Sequence, residues 1–310
     1  ALCDTEECYV GSVLEHIEEC GIHSGDSACC WPPFSLSEKI VDQIRAITKK
    51  LALACGIRGL LNIQYAVRDE HVFVIELNPR ASRTVPFSSK ATGVSLAKFA
   101  SRIMAGEKIS ELRAQGLLPD ENRSVDYYAV KEAVMPWSRF PGADSILGPE
   151  MKSTGEVMGI ARTFPAAYAK TREAVENKLP EQGSVFISVC DRDKRAIAPV
   201  AMALENLGYG IYTTGGTAKT LRAAGIDCTI VNRISDGHPN VVDLMRDKTV
   251  SFIINTPHGH EAHSDGTKMR AEAVSQGITC VTAMSAATAL IQALAAARKS
   301  KPETFALQDL

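Results

Sequence analysis

The stretch VIELNPRASRTVPFSSKATG, Val74–Gly93, begins as a strand and then stops behaving like one. Val74, Ile75 and Leu77 form an apolar run, yet Glu76, Asn78, Pro79, Arg80 and Arg83 are set among and after them. Side chains two apart on a strand share a face, so Glu76 and Asn78 point the same way. Just upstream, LLNIQYAVRD alternates Leu61, Ile63, Tyr65 and Val67 against Asn62, Gln64 and Ala66. The short polar link Asp69-Glu70-His71 before HVFVIEL predicts an antiparallel hairpin. With the turn centred near Glu70, Gln64 and Glu76 are equidistant from it and face each other. Gln64, Glu76 and Asn78 then converge on one patch. Hard oxygen donors of this kind suit Mg2+ or Mn2+ bridging to phosphate. Arg80 and Arg83 beside them suit charge that moves in phosphoryl transfer. Taken as residues alone, the cluster reads equally well as an exposed hairpin end with ordinary polar groups.

Outward from the hairpin, Val13, Leu14, Ile17 and Cys20 in YVGSVLEHIEEC fall at helical spacing and predict a helix over residues 9–20. GIHSGDSACCWPP reads as a loop. Ser35 with Glu38 three residues on predicts the capped start of a helix that runs to about Cys55. SLAKFASRIMAG is an amphipathic helix ending at Gly106, residues 124–164 are mixed strands and turns, and FPAAYAKTREAVENK is a helix. Near LPEQG, Leu179–Gly183, the pattern changes to repeated strand–helix alternation that continues to the last long helix. Alternation of that length predicts a parallel sheet with helices on both faces. The expected architecture is α/β: an α+β lobe with antiparallel strands over residues 1–182, then a doubly wound parallel-sheet domain over 183–310.

Length and composition bound the rest. A chain of 310 residues with 45% hydrophobic residues has room for about two domains with real cores. A net charge of −2 argues against a general nucleic-acid binder. No window approaches the ~18 apolar residues of a membrane span. The N-terminus lacks a basic region followed by an apolar run, so no secretory signal is read. Nine cysteines, an odd number, fit reduced thiols and a cytoplasmic location. The first residues, ALCDTEECYV, read as the middle of a domain and predict a fragment of something longer.

A second candidate site lies in IYTTGGTAKTLRAAG, where Thr213, Thr214, Gly215, Gly216 and Thr217 sit between a strand and a helix. Glycines, threonine hydroxyls and free helix-start N–H groups suit an anion. The loop lacks the Lys-Ser/Thr pair of a Walker loop and the spacing of a dinucleotide loop, so it reads equally as a capped helix start. His258, His260 and His263 in HGHEAH offer zinc-ligand chemistry, but no acid completes a familiar motif, and loop histidines near an anion site are the better reading.

Longer strings add specificity. ELNPRASRTVPFSSKATG, GIHSGDSAC, LLNIQYAV, YYAVKEAV and FPGADSILGPEMKSTGEVMG, in that family's order, closely resemble the signature segments of the carbamoyl-phosphate synthase large chain, an ATP-grasp enzyme. The resemblance implies that Gln64 and Glu76 hold one divalent ion on ATP, that Glu76 and Asn78 hold a second, and that Arg80 serves phosphoryl transfer. It implies that Gly21, Ile22, His23 and Ser24 form an ATP-contacting loop. TTGGT, IVNRISDGHPNVVDLM and SFIINTPHG resemble the methylglyoxal-synthase-like regulatory domain of the same synthases. That likeness places nucleotide contacts at Lys194, Thr214, Thr217, Arg233, Asn255 and Thr256, with UMP or IMP as effectors. Arg233 is lysine in some members, and Pro257 and His258 replace small polar residues, which leaves the effector open. Glu18, Asp26 and Glu132 match positions where ornithine-regulated members bind that cation.

The resemblance therefore implies the carbamate-phosphorylating half of an ATP-dependent ligase that makes carbamoyl phosphate from bicarbonate, ammonia and two ATP. A glutaminase small chain and the rest of the large chain would be partners, and the product would feed pyrimidine and arginine biosynthesis. A chain starting after the upstream ATP-grasp lobe is expected to be inactive alone. The rival expectation is a non-catalytic module that senses nucleotide or ornithine. Methylglyoxal synthase activity is disfavoured, because Ala218-Lys219 stand where acidic catalytic residues are needed.

Overall fold

The structure, a computed structural model, describes residues 1–175, 180–256, 265–299, 302–304 and 306–309. The first part runs β1 (Leu2–Asp4), β2 (Cys8–Tyr9), β3 (Glu15–His16), β4 (Cys29–Trp31), α1 (Glu38–Ala54), β5 (Arg58–Leu60), β6 (Asn62–Arg68), β7 (His71–Asn78), α2 (Thr84–Thr92), α3 (Leu96–Met104), α4 (Ile109–Ala114), β8 (Tyr128–Val134), β9 (Gly155–Ala161) and α5 (Phe164–Ala174). Its described strands form three antiparallel sheets, ordered β2-β1-β5, β3-β4-β8-β9 and β6-β7.

The helix expected over residues 9–20 does not form. In its place are β3 and irregular backbone. The apolar residues there serve separate cores: Val13 packs with Val41 and Ile44 of α1, Ile17 with Val130 and Tyr168, and Leu14 with the cluster around Trp31 and Phe87. A spacing of three and four arises here from a backbone threading between clusters rather than from one amphipathic face. The helix start also shifts. Ser37, not Ser35, caps α1, accepting from Ile40 N at 3.4 Å. Ser35 instead donates through its hydroxyl to Glu15. Helices α2 and α4 add order where the sequence pattern gives no clear period.

The second part is β10 (Ser184–Ser188), α6 (Lys194–Asn206), β11 (Gly210–Thr213), α7 (Gly215–Ala223), β12 (Thr229–Ile230), α8 (Val241–Arg246), β13 (Phe252–Asn255), α9 (Asp265–Ser275), β14 (Thr279–Val281) and α10 (Met284–Lys299). Its five strands are parallel in the order β12-β11-β10-β13-β14. Successive residues of β10 explain the layers. Val185 and Ile187 face one core with α6, α7 and α10, while Phe186 faces the other with α8 and α9. The expected doubly wound α/β sheet is what these strands make. Among the described residues no helix is long and apolar enough to cross a membrane, and all nine cysteines are free thiols.

Candidate functional site

The hairpin reaches its expected pairing by an unexpected route. The turn is only Asp69-Glu70, both at positive φ (50° and 61°), and Arg68 pairs with His71. Both central residues of a tight two-residue hairpin turn can require that conformation. Continued without interruption, the register would set Gln64 against Ile75. It shifts between Gln64 and Tyr65, so Tyr65 pairs with Val74 and Gln64 with Glu76. Ile75 is the extra, bulged residue. Asn62 pairs with Asn78 on the polar face, while Ile63 and Leu77 turn to the core.

Three of the expected donors meet there. Gln64 Nε2 donates to Glu76 Oε1 at 2.7 Å, and Asn78 Nδ2 donates to the same oxygen at 2.9 Å. Gln64 Nε2 also donates to Ser24 Oγ at 2.9 Å, which ties the Gly21–Ser24 loop to the hairpin. Both amide hydrogens of Gln64 are thereby used, leaving its carbonyl oxygen as the acceptor. Arg80 donates to Asn78 Oδ1 at 3.4 Å and to Ala81 O at 3.0 Å. The set is all oxygen, with one carboxylate. It fits a hard divalent ion that shares its coordination with phosphate and water. Among the described residues no group of three or more His, Cys, Asp or Glu is placed to hold a metal.

Two expectations do not gather at this edge. Arg83 donates to Ser153 Oγ at 2.7 Å and to Ser153 O at 3.3 Å, so it braces a neighbouring segment. Gly21, Ile22, Ser24, Gln64 and Arg80 line a cavity of 370 Å³; His23, Glu76 and Asn78 do not line it, and the last two sit on the hairpin edge beside it. His23 accepts through Nδ1 from Gly25 N at 3.0 Å and donates its backbone N–H to Gly148 O at 2.8 Å. Conversely, Lys131 belongs to this neighbourhood although the sequence reading gave it no role within its segment YYAVKEAV. It is 1% exposed, donates to Ser24 O at 3.2 Å and lies 3.5 Å from Glu156 Oε2. A lysine inside the apolar strand YYAVKEAV was the available signal.

Glu18, Asp26 and Glu132 all line a 780 Å³ cavity where the first part meets residues 274–286 of the second. Each is already engaged. Asp26 accepts from Lys152 N and Ser153 N, both at 2.8 Å. Glu132 accepts from Thr171 Oγ1 at 2.7 Å and pairs with Arg172. Glu18 accepts from Ala28 N at 2.6 Å. Burial pushes the Glu18 carboxyl up to about 8, Glu132 adds to the rise, and Ala28 N–H and Lys131 oppose it. At neutral pH the trio thus holds less negative charge than its residue types suggest.

The other predicted set gathers fully. Lys194, Thr214, Thr217, Arg233, Asn255 and Thr256 line one cavity of 650 Å³. It opens at the C-terminal ends of β10, β11 and β13, where neighbouring connections leave the sheet in opposite directions, the usual ligand crevice of such folds. Thr217 Oγ1 accepts from Val189 N at 3.3 Å, Thr256 Oγ1 from Cys190 N at 3.1 Å, and Asn255 Nδ2 donates to Ser188 O at 3.0 Å. Lys194 pairs with Asp191. Helix α7 starts at Gly215 with Thr214 as its N-cap, so its first N–H groups border the cavity. Arg270 also lines this cavity, and no sequence motif points to it. Pro257, His258, His260 and His263 lie outside the described residues.

Residues 5–112 match the family described as carbamoyl-phosphate synthase L chain, ATP binding domain, and residues 196–282 match the MGS-like domain. Along its full length the chain is 45% identical to the carbamoyl phosphate synthase large chain of Pasteurella multocida, of which it covers 28%. It is 48% identical to that of Methanothermobacter thermautotrophicus, covering 29%. Over 98% of its length it is 44% identical to the C-terminal section of the same synthase subunit in Aquifex aeolicus, covering 58%. The protein thus spans less than two thirds of each of these relatives. Among solved structures, the biotin carboxylase domain of a thermophilic 2-oxoglutarate carboxylase bound to bicarbonate aligns over 51% of this protein and 41% of its own length, at 18% identity and a TM-score of 0.38.

Proposed function

Because this protein is a relative of the carbamoyl-phosphate synthase large chain along its whole length, we propose that it supplies ATP and metal contacts for carbamate phosphorylation and an effector site that tunes them. Residues 1–182 are the C-terminal part of an ATP-grasp domain in this reading, and residues 183–310 an allosteric one. The supporting observation is the meeting of Gln64, Glu76, Asn78 and Arg80 at one hairpin edge, joined to the Gly21–Ser24 loop through Ser24. A divalent ion, Mg2+ or Mn2+, would be held by Gln64, Glu76 and Asn78 and would supply charge neutralisation on the ATP phosphates. The two amides hold Glu76 by its Oε1, and its other oxygen, Oε2, would be the one offered to the ion. Arg80, ordered by Asn78, offsets charge on the transferred group. Lys131 holds the Ser24 carbonyl and so positions the loop.

In the parent enzyme the ammonia would come from a glutaminase small chain. The 650 Å³ cavity suits a nucleoside monophosphate such as UMP or IMP, with Lys194, Arg233 and the start of α7 at its phosphate. Glu18, Asp26 and Glu132 would receive a cationic amino acid such as ornithine, which would have to displace Arg172 from Glu132 and draw the proton from Glu18.

Calorimetric titration of this protein with Mg2+–ATP and with ATP in EDTA tests the first site. Binding is expected only with the metal, and Glu76→Gln weakens it by about tenfold or more, since one charge-assisted contact is lost. Metal-independent binding, or unchanged affinity in the variant, overturns the assignment.

A further inference from the structure

Arg270 is 4% exposed and sits in the wall of the 650 Å³ cavity. One edge of its guanidinium donates from Nη1 to Asn255 Oδ1 at 3.1 Å. The other edge is taken by a carboxylate from the first part of the protein: Nε donates to Asp144 Oδ1 at 2.6 Å and Nη2 to Asp144 Oδ2 at 2.8 Å. This two-point fork is the geometry with which arginine also grips phosphate. Asp144 itself lines the cavity. Its carboxyl lies below the ordinary range: burial pushes it up, but the Arg270 hydrogen bond, the Ile146 N–H and the nearby positive charges together outweigh that, so at neutral pH it is a full anion.

We propose that Asp144 is an internal anion that holds Arg270 in place of the phosphate of the cavity's ligand, so that ligand binding and release of Asp144 are linked. The inference rests on the reading of this cavity as a nucleoside monophosphate site. Its consequence reaches the first site. The segment that begins at Asp144 also gives Gly148 O to His23 N, gives Lys152 N and Ser153 N to Asp26, and gives Ser153 to Arg83. Freeing Asp144 loosens one end of a segment whose other end seats the His23–Ser24 loop and Arg83. Linkage is reciprocal, so occupancy of either site then shifts affinity at the other.

Titration of the unaltered protein, Asp144→Asn and Lys194→Ala with UMP, and separately with inorganic phosphate, tests this. Asp144→Asn keeps size and polarity and removes the competing charge, so UMP binds about tenfold tighter. Lys194→Ala binds more weakly. If neither the unaltered protein nor Asp144→Asn binds UMP or phosphate, the nucleotide reading of the cavity falls and this inference with it. If the unaltered protein binds and Lys194→Ala weakens it, but Asp144→Asn binds no tighter, the cavity reading stands and the competition is wrong. Hydrogen exchange on the unaltered protein needs no substitution. The Ile146 amide, donated to Asp144 Oδ1 at 3.0 Å, exchanges faster with UMP bound. Binding without that acceleration overturns the linkage.

Discussion

Glu18 makes stability depend on pH in a direction opposite to most acids. Its carboxyl is pushed up to about 8 in the fold by burial, beside Glu132, whereas an unfolded glutamate titrates near its ordinary value of about 4.3. Between those values the folded protein keeps a proton that the unfolded one has lost. Stability from this group is therefore full below about pH 4.3 and declines as pH rises toward about 8. Urea denaturation between pH 5 and 8 should show that decline, and Glu18→Gln should flatten it; an unchanged slope in the variant counts against Glu18 as its source. Which side chains were legible follows from distance along the sequence. Gln64, Glu76 and Asn78 sit on two adjacent strands joined by a short link, which keeps them close in the fold, and the bulge at Ile75 completes their pairing. Asp26 and Arg83 belong to Ser153, 127 and 70 residues away, and Arg270 to Asp144, 126 residues away. No local period reports such pairings, and a long-range ion pair leaves no spacing to read.

The hairpin shows how an element can be read correctly on a mistaken premise. A three-residue turn and a straight ladder give the same Gln64–Glu76 pair as a two-residue turn with a bulge at Ile75. Parity of side chains is kept by the bulge, which is a local backbone choice that alternation does not encode. The repeats from β10 to α7 were legible because β10 turns apolar residues to both faces and α6 and α7 follow their strands within a few residues; α8, Val241–Arg246, was not, because it lies well beyond the short exposed β12. The segment 9–20 was not, since its apolar residues answer to three cores. The start of α1 offers a direct check. Ser37→Ala removes the cap on Ile40 N and should cost about 1 kcal/mol. Ser35→Ala touches only the exposed contact to Glu15 and should stay within about 0.5 kcal/mol. Denaturant midpoints of the two variants decide; equal losses would return the cap to Ser35 with its partner Glu38.

The two parts share more than a boundary. Phe164, Ala167 and Tyr168 of α5 form one buried cluster with Ala289 and Ala293 of α10, and α10 turns Ala287, Leu290, Ile291 and Leu294 to the parallel sheet. Small residues on one side of α10 let α5 approach closely, while larger ones on the other side fill the sheet's core. The Asp144–Arg270 fork adds a polar tie between the same halves. An apolar cluster contributed by both parts couples their unfolding, because neither can expose its share without the other losing packing. Scanning calorimetry of the unaltered protein is therefore expected to show one transition. Ala293→Asp places an unpaired carboxylate in the cluster, at a cost of several kcal/mol, and should resolve two transitions, one for each half. Two separate transitions in the unaltered protein would mean that α5 and α10 touch without binding the halves together, and that any signal between the cavity and the hairpin depends on the 144–154 segment alone.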